Sequence, residues 1–240
     1  MDLDAYTGLE GVEILPEGRA PGMRLQRRSF LPFDPREISR PSAYLSTHEH
    51  EDHCDKGSVQ AVMGKGGTFI GPSSSCDLAR SWGFPEERVR QVDGTKFERT
   101  NFGEVEITAA PGLDLNARSS IIFLLTFDDI CIMHNGDAIY NGPNYLEIAS
   151  RFSIDVAIIN LGKNPRGRHW YHTPYDVARA ANDLRPRDAI PHHYDKWDKA
   201  LEDPEKIRTA LESSYPELNG KVKLIVPKLG GRVNVEATQR

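Results

Sequence analysis

Three histidines and four acidic residues crowd into eleven positions in the stretch LSTHEHEDHCD, Leu45 to Asp55. Groups this dense repel or compete for solvent unless a cation collects them. Imidazole and carboxylate are ligands for zinc, manganese or iron, and no cysteine is needed. In an extended segment, alternate side chains share one face. His48, His50 and Asp52 are therefore expected to point together, with His53 turned to the other side. Such a strip can feed two neighbouring cations, His48 and His50 toward one, Asp52 and His53 toward the other. His-x-His alone is common on surfaces. The full His-x-His-x-Asp-His, directly after the apolar AYL, is much rarer, and it favours a metal site over a solvated loop.

Two cations need ligands from elsewhere in the chain. MHNGDAIY puts Asp137 just beyond an apolar run and after a glycine that permits a tight turn. A carboxylate there can bridge two ions, or it can cap its own turn. IPHHYD offers His192 and His193, whose side chains point opposite ways, so one is expected on metal and the other on substrate or solvent. The loop GKNPRGRHWYH gathers Lys163, Arg166, Arg168, His169 and His172. Arg166 is the candidate for holding a phosphate or carboxylate through its planar fork of donors. Lys163 and Arg168 read as solvated cations, and Trp170 and Tyr171 as pocket lining or loop anchors.

These groups must be positioned by regular elements. TFIG (68–71), EVEIT (104–108), SIIFLLTF (120–127), ICIMH (130–134) and DVAIINLG (155–162) read as strands. The last is apolar enough to be buried on both faces. SSSCDLARSWG reads as a helix with a serine N-cap and Gly83 as its stop. HTPYDVARAANDL predicts a helix capped by Thr173, with Pro174 in its first turn and Asp176 completing a capping box. Val177, Ala180, Ala181 and Leu184 then share one face. DAIPHHYDKW predicts a strand ending in polar residues, and DPEKIRTALES a last helix. KVKLIVPKLGGRVNVE predicts a terminal strand pair turning at Gly230–Gly231. The polar clusters thus follow strands, where α/β folds keep their chemistry.

The chain of 240 residues is 38% hydrophobic and 27% charged, enough to bury a core. Residues 1–34 carry little periodicity, and residues 35–240 are expected to form one domain. A net charge of −5 argues against a nucleic-acid surface built on bulk electrostatics. Cys54, Cys76 and Cys131 have no paired spacing and read as reduced thiols. The acidic start lacks a signal-peptide pattern, and the run Ile121–Phe127 is too short to span a bilayer. A cytoplasmic location is expected, with no membrane and no nucleic acid as partner.

THEHEDH, HNGDAIY and IPHHYD, in this order, resemble successive motifs of the metallo-β-lactamase superfamily. Within it, SIDVAIINLGKNPRGRHWYHTPYDVARAANDLRPRDAIPHHYDKWDKALEDPEKI resembles the C-terminal half of the L-ascorbate-6-phosphate lactonase family, and FIGPSSSCDLARSWGFPEERV its middle region. The resemblance covers roughly Pro35 to Val235. It implies an α/β fold of the αββα sandwich type. It also implies two divalent ions, manganese or zinc with iron as a third alternative. His48 and His50 would bind the first ion, Asp52 and His53 the second, Asp137 would bridge, and His193 would close the second site. Asp114, in AAPGLDLN, stands where many relatives have a histidine, a carboxylate that would make the first site more tolerant of manganese.

The chain departs from the family in two places. RLQRRSFLPFDP is only a faint substitute for the family's glycine-rich strands and tight turn, so the resemblance implies an N-terminal layer that is either shortened or completed by a partner subunit. An insertion that can cover substrate is missing at LNARSS, so the expectation is a lactone of a sugar-acid phosphate and not ascorbate 6-phosphate in particular. The implied chemistry is hydrolysis by a hydroxide shared between two cations. Asp52 and Asp137 are the catalytic candidates, Arg166 and His192 the substrate-binding ones, and a small phosphorylated or carboxylated metabolite is the expected partner. Tyr194 and Asp195 are expected to orient imidazoles, and Cys54 to be packing. The rival readings are a phosphodiesterase on the same metals and a non-catalytic metabolite- or partner-binding scaffold. A homo-oligomer remains open.

Overall fold

Two sheets carry the chemistry-bearing loops, and each forms for a reason visible in its strands. The computed structural model describes residue 37 and residues 42–164, 168–198 and 200–235. The expected N-terminal segment 1–34 and Arg166 lie outside the described residues.

The smaller sheet is parallel, in the order β1 (Ala43–Leu45), β2 (Thr68–Gly71), β3 (Val89–Gln91). Parallel strands need crossover connections, here helices α1 (Lys56–Met63) and α2 (Ser73–Ser81). Val59, Met63, Cys76 and Ala79 from these helices pack on Phe69 and Val89. The larger sheet has seven strands. Four run antiparallel through hairpins: β4 (Arg99–Phe102), β5 (Val105–Pro111), β6 (Ile121–Phe127) and β7 (Ile130–His134). Beyond β7 the pairing turns parallel through β8 (Val156–Asn160), β9 (Asp188–His192) and the short β10 (Lys223–Leu224). Helices α3 (Gly142–Arg151), α4 (Pro174–Leu184) and α5 (Glu205–Ser214) accompany these strands.

Ile70 and Val92 meet Ile107, Ala109, Ile121 and Phe123 between the sheets. On the far face, Leu124, Met133, Ala157 and Ile159 meet Tyr145, Ile148, Val177, Ala180 and Ile207 of the helices. The layers are thus helix, sheet, sheet, helix, the αββα sandwich expected. Fully burying each such aliphatic side chain contributes about 1.5–3 kcal/mol. That burial keeps the sheets rigid under the loops at their strand ends.

The capped helix α4 forms as its sequence predicts. The Thr173 side chain accepts from Asp176 N–H, and the Asp176 side chain accepts from Thr173 N–H. Two expectations need correction. The serines of α2 do not cap it: Pro72 holds the N-cap position with no side-chain hydrogen bond. Ser74 instead donates to Glu49 at 2.7 Å, because a carboxylate from the histidine loop is within reach. The terminal strand pair is also absent among the described residues. Ile225 N–H still donates to Ala189, but Pro227 has no N–H to continue a ladder, and residues 228–232 are exposed. Helices α1 and α3 have local caps of their own: Asp55 accepts from Gly57 and Ser58 N–H, and Asn141 caps α3 ahead of a proline.

Candidate metal centre

The loop after β1 is coiled, not extended. His53 N–H and Cys54 N–H both donate to His50 C=O, at 2.9 and 2.7 Å. This turn, and not strand alternation, brings the His48 and His53 rings to 4.3 Å between centroids. The loop is tied at its start, since Ser46 N–H donates to Ile70 and Thr47 C=O accepts from Ile121 N–H. The side chains it gathers nevertheless fall into two groups.

His48, His50 and Asp114 form one group of ligand atoms, and Asp52, His53, Asp137 and His193 a second, all within 4.8 Å of one another in each. In the first, His48 Nε2 and His50 Nδ1 each lie 3.7 Å from Asp114 Oδ2. In the second, His53 Nε2 lies 3.4 Å from Asp52 Oδ2 and 3.3 Å from Asp137 Oδ1. His193 Nε2 lies 3.6 Å from an oxygen of each. These separations are long for hydrogen bonds. They match the roughly 3.4 Å between donors tetrahedrally placed about 2.1 Å from one cation.

The chemical state of the donors fits a cation equally well. His48 Nε2, His53 Nε2, His193 Nε2, Asp114 Oδ2 and Asp137 Oδ1 are buried without a hydrogen-bond partner. Orphaned buried polar atoms are costly, and five converge here. Burial alone would raise the Asp52 carboxyl, but Lys196 and His53 outweigh it and hold it well below the usual carboxylate range. Asp137 is likewise held low against burial by His193 and His53. Burial opposes charge on His53, yet Asp137 and Asp52 raise it to about 10. Without a metal the two carboxylates thus favour a proton on His53, and a bound cation would replace it. Burial, then His53, keeps His48 neutral, as a ligand must be.

Five of the seven side chains have a visible means of support here. Thr47 Oγ1 lies 3.0 Å from His48 Nδ1, leaving Nε2 toward Asp114. His50 Nε2–H donates to Asn116 C=O at 3.2 Å, which frees Nδ1. Asp114 accepts from Asn116 N–H through Oδ1, which frees Oδ2. His193 follows β9 at φ 71°, a left-handed conformation that is uncommon outside glycine, and Tyr171 packs on its ring at 4.7 Å. Asp137 stands on a turn whose Gly136 has φ 56°. Below that turn, Asn160 Nδ2 donates to the carbonyls of Gly136 and Ala138. Asn160 itself receives from His172, and Tyr145 links His172 to Asn135. Asp137 groups with the second set, and its field also reaches His48 and Asp114.

His192 turns the other way from His193. Its ring lies 4.7 Å from His134, and its Nε2 is 3.3 Å from Asn135 Oδ1. Its proton affinity is depressed by burial and then by His134. His134 is pushed down to about 4 by burial and accepts from Gly136 N–H, a structural part. His172 does not stand in a solvated basic loop. It is fully buried, and burial pushes it down to about 4. Tyr194 packs against the helix-side core and Asp195 is exposed, so neither orients a ligand ring. Cys54 is buried, with burial pushing its thiol up to about 11, as a packing residue should be.

Several supporting residues had no sequence signal. Lys196 Nζ donates to Asp52 Oδ2 at 2.8 Å, and Trp197 Nε1 to the same atom at 3.4 Å. Asn135, Tyr145 and Asn160 are similarly ordinary until the strands bring them together.

A fold and a ligand constellation of this kind define a class. The sequence profile described as β-lactamase superfamily domain matches residues 12–194, and the chain belongs to the metallo-β-lactamase superfamily. Within it the chain is 30% identical over 225 residues to the probable L-ascorbate-6-phosphate lactonase UlaG of Escherichia fergusonii, an alignment covering 83% of this chain. The chain spans 62% of that relative's length. Among solved structures it is similar in fold to an isothiocyanate hydrolase from Delia radicum gut bacteria. There the TM-score is 0.70 at 19% identity, over 95% of this chain and 88% of the other. It is also similar to CmlA, a diiron β-hydroxylase from Streptomyces venezuelae, with a TM-score of 0.60 at 18% identity, over 78% and 44% of the two chains.

Proposed function

We propose that this protein is a metal-dependent hydrolase that opens a lactone of a small sugar-acid phosphate or a related anionic metabolite. The observation that carries the reading is the convergence of seven candidate ligand residues in two groups, with six of their side-chain atoms buried and unpartnered. His48, His50 and Asp114 would hold one divalent ion. Asp52, His53 and His193 would hold the second, with Asp137 shared between them. Manganese or zinc suits this nitrogen and oxygen set, and iron suits it as well. The lactonase relative supports the substrate class, and three buried cysteines without disulfides are consistent with a reducing, cytoplasmic setting.

Bound metal would supply a nucleophilic water near neutral pH and polarise the scissile carbonyl. The chain's own residues do the rest. Asp52 and Asp137 supply fixed negative charge, and their low proton affinity keeps them ionised at neutral pH. His48, His50, His53 and His193 present ring nitrogens whose other faces are tied back or packed. Leu113 and Leu115, both exposed, flank Asp114 and offer an apolar rim for the carbon skeleton of a substrate. Arg166, proposed from sequence alone, would hold the substrate's anionic group.

The test is metal content per chain after purification without chelator or nickel, followed by turnover of a sugar-acid lactone against bis-p-nitrophenyl phosphate. About two ions per chain and preference for the lactone support the reading. Preference for the diester turns it into a phosphodiesterase. Full metal loading with no turnover of lactone, ester or diester turns it into a binding scaffold.

A further inference from the structure

The two ligand groups differ in charge, and one side chain offsets the difference. The first contains one carboxylate, Asp114, and the second contains two, Asp52 and Asp137. Lys196 sits on the second. Its Nζ lies 2.8 Å from Asp52 Oδ2 and 3.3 Å from Asp52 C=O, so side chain and main chain of one residue hold the ammonium together. The same Oδ2 faces His53 Nε2 at 3.4 Å and His193 Nε2 at 3.6 Å. The ammonium therefore occupies the very carboxylate oxygen that faces the second group's imidazoles.

This ammonium is built in. The Lys196 side chain is 17% exposed, and its Nζ lies 5.1 Å from the Trp197 ring centroid. Trp197 is buried with Trp170, Tyr171 and Ala200, and Tyr171 packs on the His193 ring. One aromatic cluster thus fixes both the lysine and a ligand of the second group. Arginine in that place would keep the charge, while glutamine would keep a donor and lose it.

We propose that Lys196 is a positioning residue that restrains cation affinity at the Asp52, His53, Asp137 and His193 group. It neutralises one of the two carboxylates there and so brings the second site's net charge level with the first. This rests on the reading that the second group holds a metal. A carboxylate oxygen shared with an ammonium donates less to a metal, and a unit positive charge a few ångström from a dication repels it even under strong screening. The device keeps the second ion exchangeable, although that group offers four ligand residues against three.

The test is equilibrium dialysis of the purified protein against a series of buffered free zinc concentrations, with zinc per chain counted by mass spectrometry. His193→Ala identifies which uptake step belongs to the second group. Lys196→Gln and Lys196→Met are expected to tighten that step by about tenfold or more and leave the other step in place, with Lys196→Arg behaving as the parent. Circular dichroism melting checks that each variant is folded. A second step that is unchanged or weaker in a folded Lys196→Gln chain overturns the proposal, because a lysine that merely props Asp52 predicts that sign. A parent chain with no uptake step sensitive to His193→Ala overturns this proposal together with the metal reading beneath it.

Discussion

Gly136 and Thr47 interlock the two loops that carry the ligands: a methyl group on Gly136 would run into the Thr47 hydroxyl. Thr47 is also the residue 3.0 Å from His48 Nδ1. The turn that presents Asp137 and the side chain that orients His48 are thus pressed against each other, 89 positions apart in sequence.

Gly136→Ala should therefore injure both groups at once. Its φ of 56° costs an L-residue about 1–2 kcal/mol, and the displaced Thr47 adds to that. We expect a lower melting temperature and fewer bound metal ions per chain. A variant with unchanged melting and full metal content would show that the interlock is slack.

Asp137→Ala should abolish turnover and remove much of the bound metal, because the carboxylate lies between His53 and His193 and its field reaches the first group. Loss of turnover with metal content intact would confine Asp137 to one site or to orientation. In the parent chain, a chelator should lower the melting temperature, since a ligand of the native state at a hundred times its Kd contributes about 2.7 kcal/mol.

His172 gives a pH prediction. An unfolded histidine titrates near 6.5, whereas burial holds folded His172 at about 4. Below about 6.5 the unfolded chain takes up a proton that the native chain refuses. The contribution is therefore full above that pH and is lost as pH falls toward 4, by about 3 kcal/mol over the window. His134 shifts in the same direction. His172→Gln should be less stable at pH 7 yet lose less stability between pH 6.5 and 4 in urea titrations. An unchanged slope would place the acid sensitivity elsewhere.

Thr173→Ala removes a reciprocal cap at the start of α4 and should cost about 1 kcal/mol. Because α4 packs through Val177 and Ala180 into the helix-side core, the loss should appear in global unfolding. Metal content should stay at the parental level, which separates a stability defect from a site defect.

Residue type and spacing were enough to mark His48, His50, Asp52, His53, Asp137 and His193, because each follows an apolar run at a strand end. The strands β5 to β9 and the helix α4 were legible for the same reason: their apolar periods and caps are local. The turn at His48 to His53 has no such local signal, and alternation alone predicts an extended strip there. Its geometry comes from two hydrogen bonds to His50 C=O and from Ser46 and Thr47 pairing with Ile70 and Ile121, contacts with distant strands.

What the amino-acid sequence by itself determined is the set of candidate ligands, the layered fold and the family. Only the tertiary structure decided what holds those side chains in their two groups. Lys196 meets Asp52 across 144 positions, and Asn160 reaches under the Asp137 turn across 24. Such pairings have no local signature, because they depend on strand order and on the depth at which each side chain is buried. A carboxylate, an amide or a lysine becomes part of the site only when the sheet brings its partner within hydrogen-bonding distance.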